Sequence, residues 1–351
     1  MKAPSPERVA EFAAAARRIV VERTSAADVV TQLLRETPRE EWLSLANRPE
    51  LQNNGALEQL SREIDTALDR QPQDALPLSL LATKIADSLP DDQYPPVVTA
   101  QIRAHAWKDR AQALTFNEKH EEALDAVIHA EKLLERYGTL AHDRAIVDVT
   151  KGRILQHFER FDEALAAVAS ARKTFNQHGD SKRALLCGIT EAVVQYRLGN
   201  YVRARDLFRR LLTIGEVVGD EFSTASLHNN LACCLLELGD VRGANVHFSN
   251  AIAGCNNAGR HVDGLRTQRA SGRLFVARGR TAEGLIHLRA ARSEFLRHGL
   301  VHEAGICALD IAVALHTCCQ ANEANEMTLT ALSELRDTVV NSSVRDALEY
   351  L

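Results

Sequence analysis

Six residues separated by 41, 40, 40, 40 and 40 positions constrain the fold more than any other feature of this chain: Ala123, Ala164, Ala204, Ala244, Gly284 and Ala324. Each begins a helix-forming stretch after a turn, as in Glu121-Glu122-Ala123-Leu124 and Asp162-Glu163-Ala164-Leu165. A fixed period of this length marks a stacked array, in which one unit cannot bury its apolar face alone. Twelve residues before each marker the side chain is small: Ala111, Gly152, Ala192, Ala232, Gly272 and Ala312. Seven residues after it stand Ala130, Ala171, Leu211, Ala251, Ala291 and Ala331. Small residues at matched places on two helices let the axes approach closely, as a stacked helical hairpin requires.

Apolar positions lie between the small ones. Nine residues before the marker are Leu114, Leu155, Gln195, Leu235, Phe275 and Leu315; four after it are Val127, Val168, Phe208, Phe248, Leu288 and Thr328. Turns such as Leu198-Gly199-Asn200, Leu238-Gly239-Asp240 and Arg278-Gly279-Arg280 separate the two helices of a pair. Fifteen residues after the markers come Gly138, Gly179, Gly219, Gly259 and Gly299, with Val339 sixth. Glycine at the end of each second helix reads as a C-cap in the left-handed conformation. The one extra residue of the first spacing falls in the loop Thr139-Leu140-Ala141-His142-Asp143, where added length costs little.

This order of small residue, large apolar residue, turn, alanine, apolar residue and alanine resembles the tetratricopeptide repeat (TPR), over six repeats in residues 100–338. The period exceeds the usual ~34 residues and is similar to the variant found in kinesin light chain, in LGN-type polarity adaptors and in bacterial signal-sensing regulators. Leu227-His228-Asn229-Asn230-Leu231-Ala232 followed by Leu238-Gly239-Asp240 carries the likeness most clearly. The resemblance implies an all-α, right-handed superhelical solenoid of antiparallel helix pairs.

The N-terminal residues read as a helical cap, residues 1–56. Ser5-Pro6-Glu7 fits a helix start, and Val9, Phe12, Ala13, Ala16 and Val20 share one face. Ser25 is expected to start a second helix, and Thr37-Pro38-Arg39-Glu40 a third through a capping box. Residues 57–99 read as a degenerate unit, in which Ala75 and Ala82 keep the seven-residue spacing of the later second helices. Residues 339–351 are expected to cover the far end. Arg17, Arg18, Arg23 and Arg35 raise the alternative that residues 1–56 bind DNA, but no glycine-bearing helix-turn-helix turn accompanies them.

Several function classes are expected to be absent. A net charge of −5 over 351 residues gives no whole-molecule attraction to nucleic acid or acidic membranes. No apolar run is long enough to span a bilayer, and the N-terminus lacks the apolar core of a signal peptide; a cytoplasmic location is expected. No phosphate-binding glycine loop, GxSxG elbow or HExxH appears. Cys233-Cys234 and Cys318-Cys319 are adjacent pairs that point about 100° apart on a helix, and the usual metal-ligand spacings are missing. Cys187 and Cys307 share one repeat position and read as core residues. His178 and His298 precede helix-ending glycines, where an imidazolium favours the helix dipole. The expectation is therefore no catalytic set, no metal and no cofactor.

The candidate binding residues lie on the first helix of each repeat, which lines the concave groove in the family this chain resembles. Positions 18, 15, 14 and 11 before the marker face that groove. They hold His105, Lys108, Asp109 and Gln112 in the first repeat, Arg153 in the second, Asn229 and Asn230 in the fourth, and Arg266, Arg269 and Arg273 in the fifth. Asparagine can hold an extended peptide's backbone, and Asn230 occupies the family's backbone-holding position. Arginine can grip a carboxylate with two parallel bonds. Ala270 stands where a further basic residue of a carboxylate clamp is expected. The leading reading is an adaptor or scaffold for an acidic or extended peptide or helix of a partner protein. The alternatives are a regulatory sensor of a small peptide or metabolite and an accessory subunit of an enzyme complex.

Overall fold

The computed structural model describes residues 6–70 and 72–335. The expected C-terminal cap, Val339 and Ser5 lie outside the described residues. Fifteen α-helices and four short 3-10 turns make up the described residues, with no strand among them. They form two compact units, Met1–Thr190 and Glu191–Leu351.

The first unit begins with α1 (Pro6–Glu36), followed by 3-10 turns at Arg39–Asn47 and Pro49–Leu51. Then come α2 (Asn54–Arg70), α3 (Pro72–Ser88), α4 (Pro96–Phe116), α5 (His120–Glu135), α6 (Ala141–Leu155), α7 (Phe161–Gln177) and the start of α8 (Ser181–Arg197). Three expectations fail here. Ser25 does not start a helix: α1 runs through it, and its hydroxyl donates back to the carbonyls of Val21 and Glu22. Thr37 makes no capping box. Pro38 is the N-cap, no side chain caps that end, and the segment is a 3-10 turn tied down by Trp42 Nε1 donating to the carbonyls of Leu34 and Thr37. Finally, Val9, Phe12, Ala13, Ala16 and Val20 are exposed. The face of α1 that packs carries Ala15, Ile19, Ala26 and Val30. Ala75 and Ala82 of α3 are buried in the same cluster, which also includes Leu60, Ile64, Leu81 and Ile85.

The second unit continues from α8 with α9 (Tyr201–Val218), α10 (Glu221–Glu237), α11 (Val241–Asn257), α12 (His261–Ala277), α13 (Thr281–Arg297), α14 (Val301–Thr317) and α15 (Ala321–Leu335). Consecutive helices pack as pairs: α4 with α5, α6 with α7, α10 with α11, α12 with α13, and α14 with α15. The recurring small residues sit where each pair closes. Ala111, Ala232, Ala312, Ala130, Ala171, Ala251, Ala291 and Ala331 are all buried, as are Leu235, Phe275, Leu315, Phe208, Phe248 and Leu288. Gln195 is a polar residue at a buried apolar position. Its Oε1 is satisfied by Asn200 Nδ2, 3.1 Å away in the following turn.

Gly179, Gly219, Gly259 and Gly299 take φ near +70° where second helices end. Gly138 does not: α5 stops at Glu135 and Gly138 opens a 3-10 turn. The insertion before α6 is thus absorbed as a tightened turn. His178 Nδ1 donates to the Thr174 carbonyl at 2.8 Å, satisfying one of the last carbonyls of α7.

Candidate binding face

Within each unit the first helices of successive pairs touch one another: α2 with α4 and α4 with α6, then α10 with α12 and α12 with α14. The second helices do not approach each other to the same degree. Pairs closer together at their first helices curve, so the first helices line the inner side of each unit.

On the inner side of the second unit, the expected basic stretch on α12 is not basic. Arg266 donates to Glu303 Oε1 from Nε at 3.0 Å and from Nη2 at 2.8 Å. Arg269 Nε donates to Asp310 Oδ2 at 2.5 Å, with Glu303 4.0 Å from its Nη1. Arg273 Nε stands 3.5 Å from Asp310 Oδ1, and Asp263 lies 3.5 Å from Arg266. Glu303 and Asp310 therefore hold the three arginines between them, while Asp263 is drawn mainly to Arg260, 2.6 Å away. Burial would lower the Arg269 pKa, but Asp310 and Glu303 outweigh it and raise it above its ordinary value. The carboxylates were legible in register. Asp310 stands fourteen residues before Ala324, at a groove position, one repeat beyond the arginines.

Asn229 and Asn230 sit side by side and half-buried on α10. Asn229 Nδ2 reaches Asn230 Oδ1 at only 3.5 Å, at the limit of a hydrogen bond. Among the described residues no other partner holds either amide. They differ in this from the arginines of α12: their donors and acceptors remain available.

In the first unit, Lys108 is bound to its neighbour Asp109, and both side chains are well covered. His105 Nε2 donates to Asp143 Oδ1 at 2.9 Å, beside Gln101 Nε2 at 2.8 Å. Burial would raise the Asp143 carboxyl, yet the hydrogen bonds from His105 and Gln101 hold it below the usual carboxylate range. The pairing follows one rule in both units. A cation or imidazole eighteen residues before one marker meets an acid twenty-one residues before the next: His105 with Asp143, and Arg266 with Glu303. Arg153 escapes it. Its side chain is exposed and no acid among the described residues pairs with it, yet surrounding protein crowds it enough for desolvation to lower its pKa.

Of the seven candidates, Lys108, Arg266 and Arg269 are thus committed within the chain. Arg273 is paired at one edge and mostly exposed. Asn229, Asn230 and Arg153 are open to a ligand. No group of three or more histidine, cysteine or carboxylate side chains is placed to hold a metal ion among the described residues. Among the same residues no helix is long and apolar enough to cross a membrane.

No family model matches the chain, and no curated protein does. Solved structures match its fold. Aspartyl phosphate phosphatase F from Bacillus subtilis superposes with a TM-score of 0.55 at 12% identity, over 81% of this chain and 70% of that one. NprR, solved in complex with its cognate peptide NprX, gives 0.53 at 12% identity over 95% of both chains. The apo form of RapI gives 0.51 at 10% identity, over 84% of this chain and 99% of that one. Identity this low speaks to architecture alone. The 40-residue recurrence, the buried small residues and these superpositions together give the chain the fold of a stacked array of antiparallel helix pairs.

Proposed function

We propose that the chain is a non-catalytic binding protein whose inner helices hold an extended segment of a partner protein or peptide, with α10 gripping its main chain. The observation that carries this reading is the uncommitted pair Asn229 and Asn230, set on an inner helix next to arginines that the protein neutralises itself. An amide side chain can donate to a peptide carbonyl and accept from a peptide N–H at once. Two adjacent ones suit a strand-like ligand better than a charged group. NprR, of similar fold, is solved in complex with its cognate peptide NprX, which supports a peptide ligand here.

The test is selection of unstructured random peptides against the full chain, followed by calorimetry of the selected peptide on Asn229→Ala and Asn230→Ala. Each variant should bind between about two- and twelve-fold more weakly, the range of a net hydrogen bond, with circular dichroism unchanged. Selected peptides that bind both variants as tightly as wild type would place the binding face elsewhere.

A further inference from the structure

The second helices of the third and fourth repeats break a charge rule that the other repeats keep. One residue before the marker, in the first turn of the second helix, stand Glu122, Glu163, Glu283 and Glu323. A negative charge there favours the helix dipole. Three of these acids also pair with a cation of the preceding turn, Lys119, Arg160 and Arg280 respectively. The third repeat has Arg203 at this position, and the fourth has Gly243 with Arg242 beside it. Neither α9 nor α11 carries an acid in its first turn, and a cation at that end of a helix costs stability.

Arg203 and Arg242 belong to a wider basic surface. Arg203, Arg209 and Arg210 of α9 and Arg242 of α11 are all exposed, and no carboxylate among the described residues forms an ion pair with any of them. α11 contains no acidic residue. Asp206, between the arginines of α9, is held by Arg205, and Glu216 stands at the far end of that helix. Val202, 53% exposed, shares a face of α9 with Arg209, and Val246, 55% exposed, shares one of α11 with Arg242. Both helices pack on α10, and they adjoin: burial first, then the charges of His228 and Arg209, lower the pKa of His247 on α11. We propose that this outer face of α9 and α11 docks an acidic segment of another protein, with carboxylates on the arginines and apolar side chains on the two valines.

The chemistry favours a protein segment over other anions. Arginine forks match carboxylates in geometry. The chain's net charge of −5 repels a long uniform polyanion such as nucleic acid, whereas a short segment meets only the local positive field. Valine is a poor membrane anchor beside the tryptophan, phenylalanine and leucine of interfacial helices. These arginines also differ from those of α12, which Glu303 and Asp310 already neutralise.

The experiment is selection of random peptides on the full chain, with depletion on the full chain carrying Arg203→Glu, Arg209→Glu, Arg210→Glu and Arg242→Glu together. Fluorescence anisotropy then measures the enriched peptides, which should carry Asp or Glu beside apolar residues. Arg203→Glu and Arg242→Glu should each weaken binding about three-fold or more, increasingly so at low salt, and Val246→Ser should weaken it too. Asn230→Ala, on an inner helix, should leave it unchanged, which separates this face from the inner one. Arg203→Glu should at the same time raise the melting temperature, because it returns an acid to the first turn of α9. Weaker binding by a more stable protein is a combination that partial unfolding cannot produce. If the depletion enriches no peptide, or the enriched peptides bind the quadruple variant as tightly as wild type, the proposal is overturned. Arginine-dependent binding of a single-stranded oligonucleotide or of phosphatidylserine vesicles, with none of peptides, overturns it as well.

Discussion

Gly272 of α12 and Gly284 of α13 meet backbone to backbone. A Cβ on Gly272 falls 2.9 Å from the Gly284 carbonyl oxygen, and a Cβ on Gly284 falls 2.7 Å from the Gly272 carbonyl oxygen. Backbone cannot rotate aside as a side chain can, so either added methyl group must push the two helices apart. Gly272→Ala and Gly284→Ala should each cost about 1–3 kcal/mol, the usual range for overpacking. Gly152→Ala in α6 should cost less, because its nearest obstacle is the Val168 Cγ1 methyl at 2.7 Å, with the Ala164 carbonyl oxygen at 3.3 Å. Urea midpoints at constant slope measure the series. Equal midpoints for wild type and Gly272→Ala would mean that α12 and α13 lie farther apart than described.

The turn inside each pair contains a left-handed residue five before the marker. Glycine fills it at Gly199, Gly239 and Gly279, but Glu118, Glu159 and Cys319 fill it elsewhere, with φ of 61°, 57° and 58°. A side chain there is strained by about 1–2 kcal/mol, partly offset by the greater unfolded-state entropy of glycine. Glu159→Gly and Cys319→Gly should therefore raise stability by about 0.5–1 kcal/mol. Gly239→Ala should lower it by about 1 kcal/mol. Thermal unfolding reads the sign, and a lower melting temperature for Glu159→Gly would refute the assignment.

Asp148 on α6 gives a pH-dependent test. Burial, and then Glu131 of α5, push its carboxyl up to about 6, against partial relief from Lys151 and Arg144. A carboxyl raised in the folded state binds its proton more tightly there than in the unfolded chain. Folding therefore loses stability as pH rises from about 4 to about 6, and the full cost persists above that range. Asp148→Asn removes the cost. It should stabilise the protein by about 1–3 kcal/mol at pH 7, allowing for partial exposure, and the gain should vanish near pH 4. A gain independent of pH would trace to packing and not to charge.

Burial pushes the thiols of Cys187, Cys233, Cys234 and Cys307 up to about 12, where the reactive thiolate is scarce. Cys255 is buried, and Cys318 and Cys319 are exposed. Native-state alkylation should modify Cys318 and Cys319 first, leaving the other five until unfolding. Peptide mass mapping reads the order, and rapid labelling of Cys234 or Cys307 would contradict the burial.

Period alone made the helix pairs legible, because a small residue repeated every 40 positions has no other use than close packing, as Ala232 and Ala312 show by their burial. The N-terminal segment was harder to read. Along α1, alanine and valine occur on more than one face, so spacing could not tell the exposed Val9–Val20 stripe from the packed line through Ala15 and Ile19. Ser25, a residue that often starts helices, instead bonds back into one. Register put the candidate binding residues on the first helices, but register describes a single helix, whereas ion pairs join two. Arg266 and Glu303 are 37 residues apart and meet only because α12 and α14 stack. Asn229 and Asn230 drew attention by type, and their lack of partners emerged only from the structure.

The same stacking reverses an expectation about Arg269. As a groove residue it should tolerate Arg269→Glu with the fold intact. In the structure its side chain is 15% exposed and holds Asp310, itself 12% exposed, with Glu303 nearby. Arg269→Glu would set a third carboxylate against two that are already covered. Breaking a buried pair by removing one partner typically costs about 3–5 kcal/mol, since the surviving charge is left without compensation. Arg273 offers the contrast: 53% exposed and 3.5 Å from Asp310, it should behave as a surface pair worth about 1 kcal/mol or less. Arg269→Glu should therefore shift the urea midpoint strongly, Arg273→Glu barely, and the double substitution Arg269→Leu with Asp310→Leu should recover much of the loss, because it removes both charges together. Similar midpoints for Arg269→Glu and Arg273→Glu would show that α12 and α14 are not joined by this network, and the arginines would again be available to an acidic ligand.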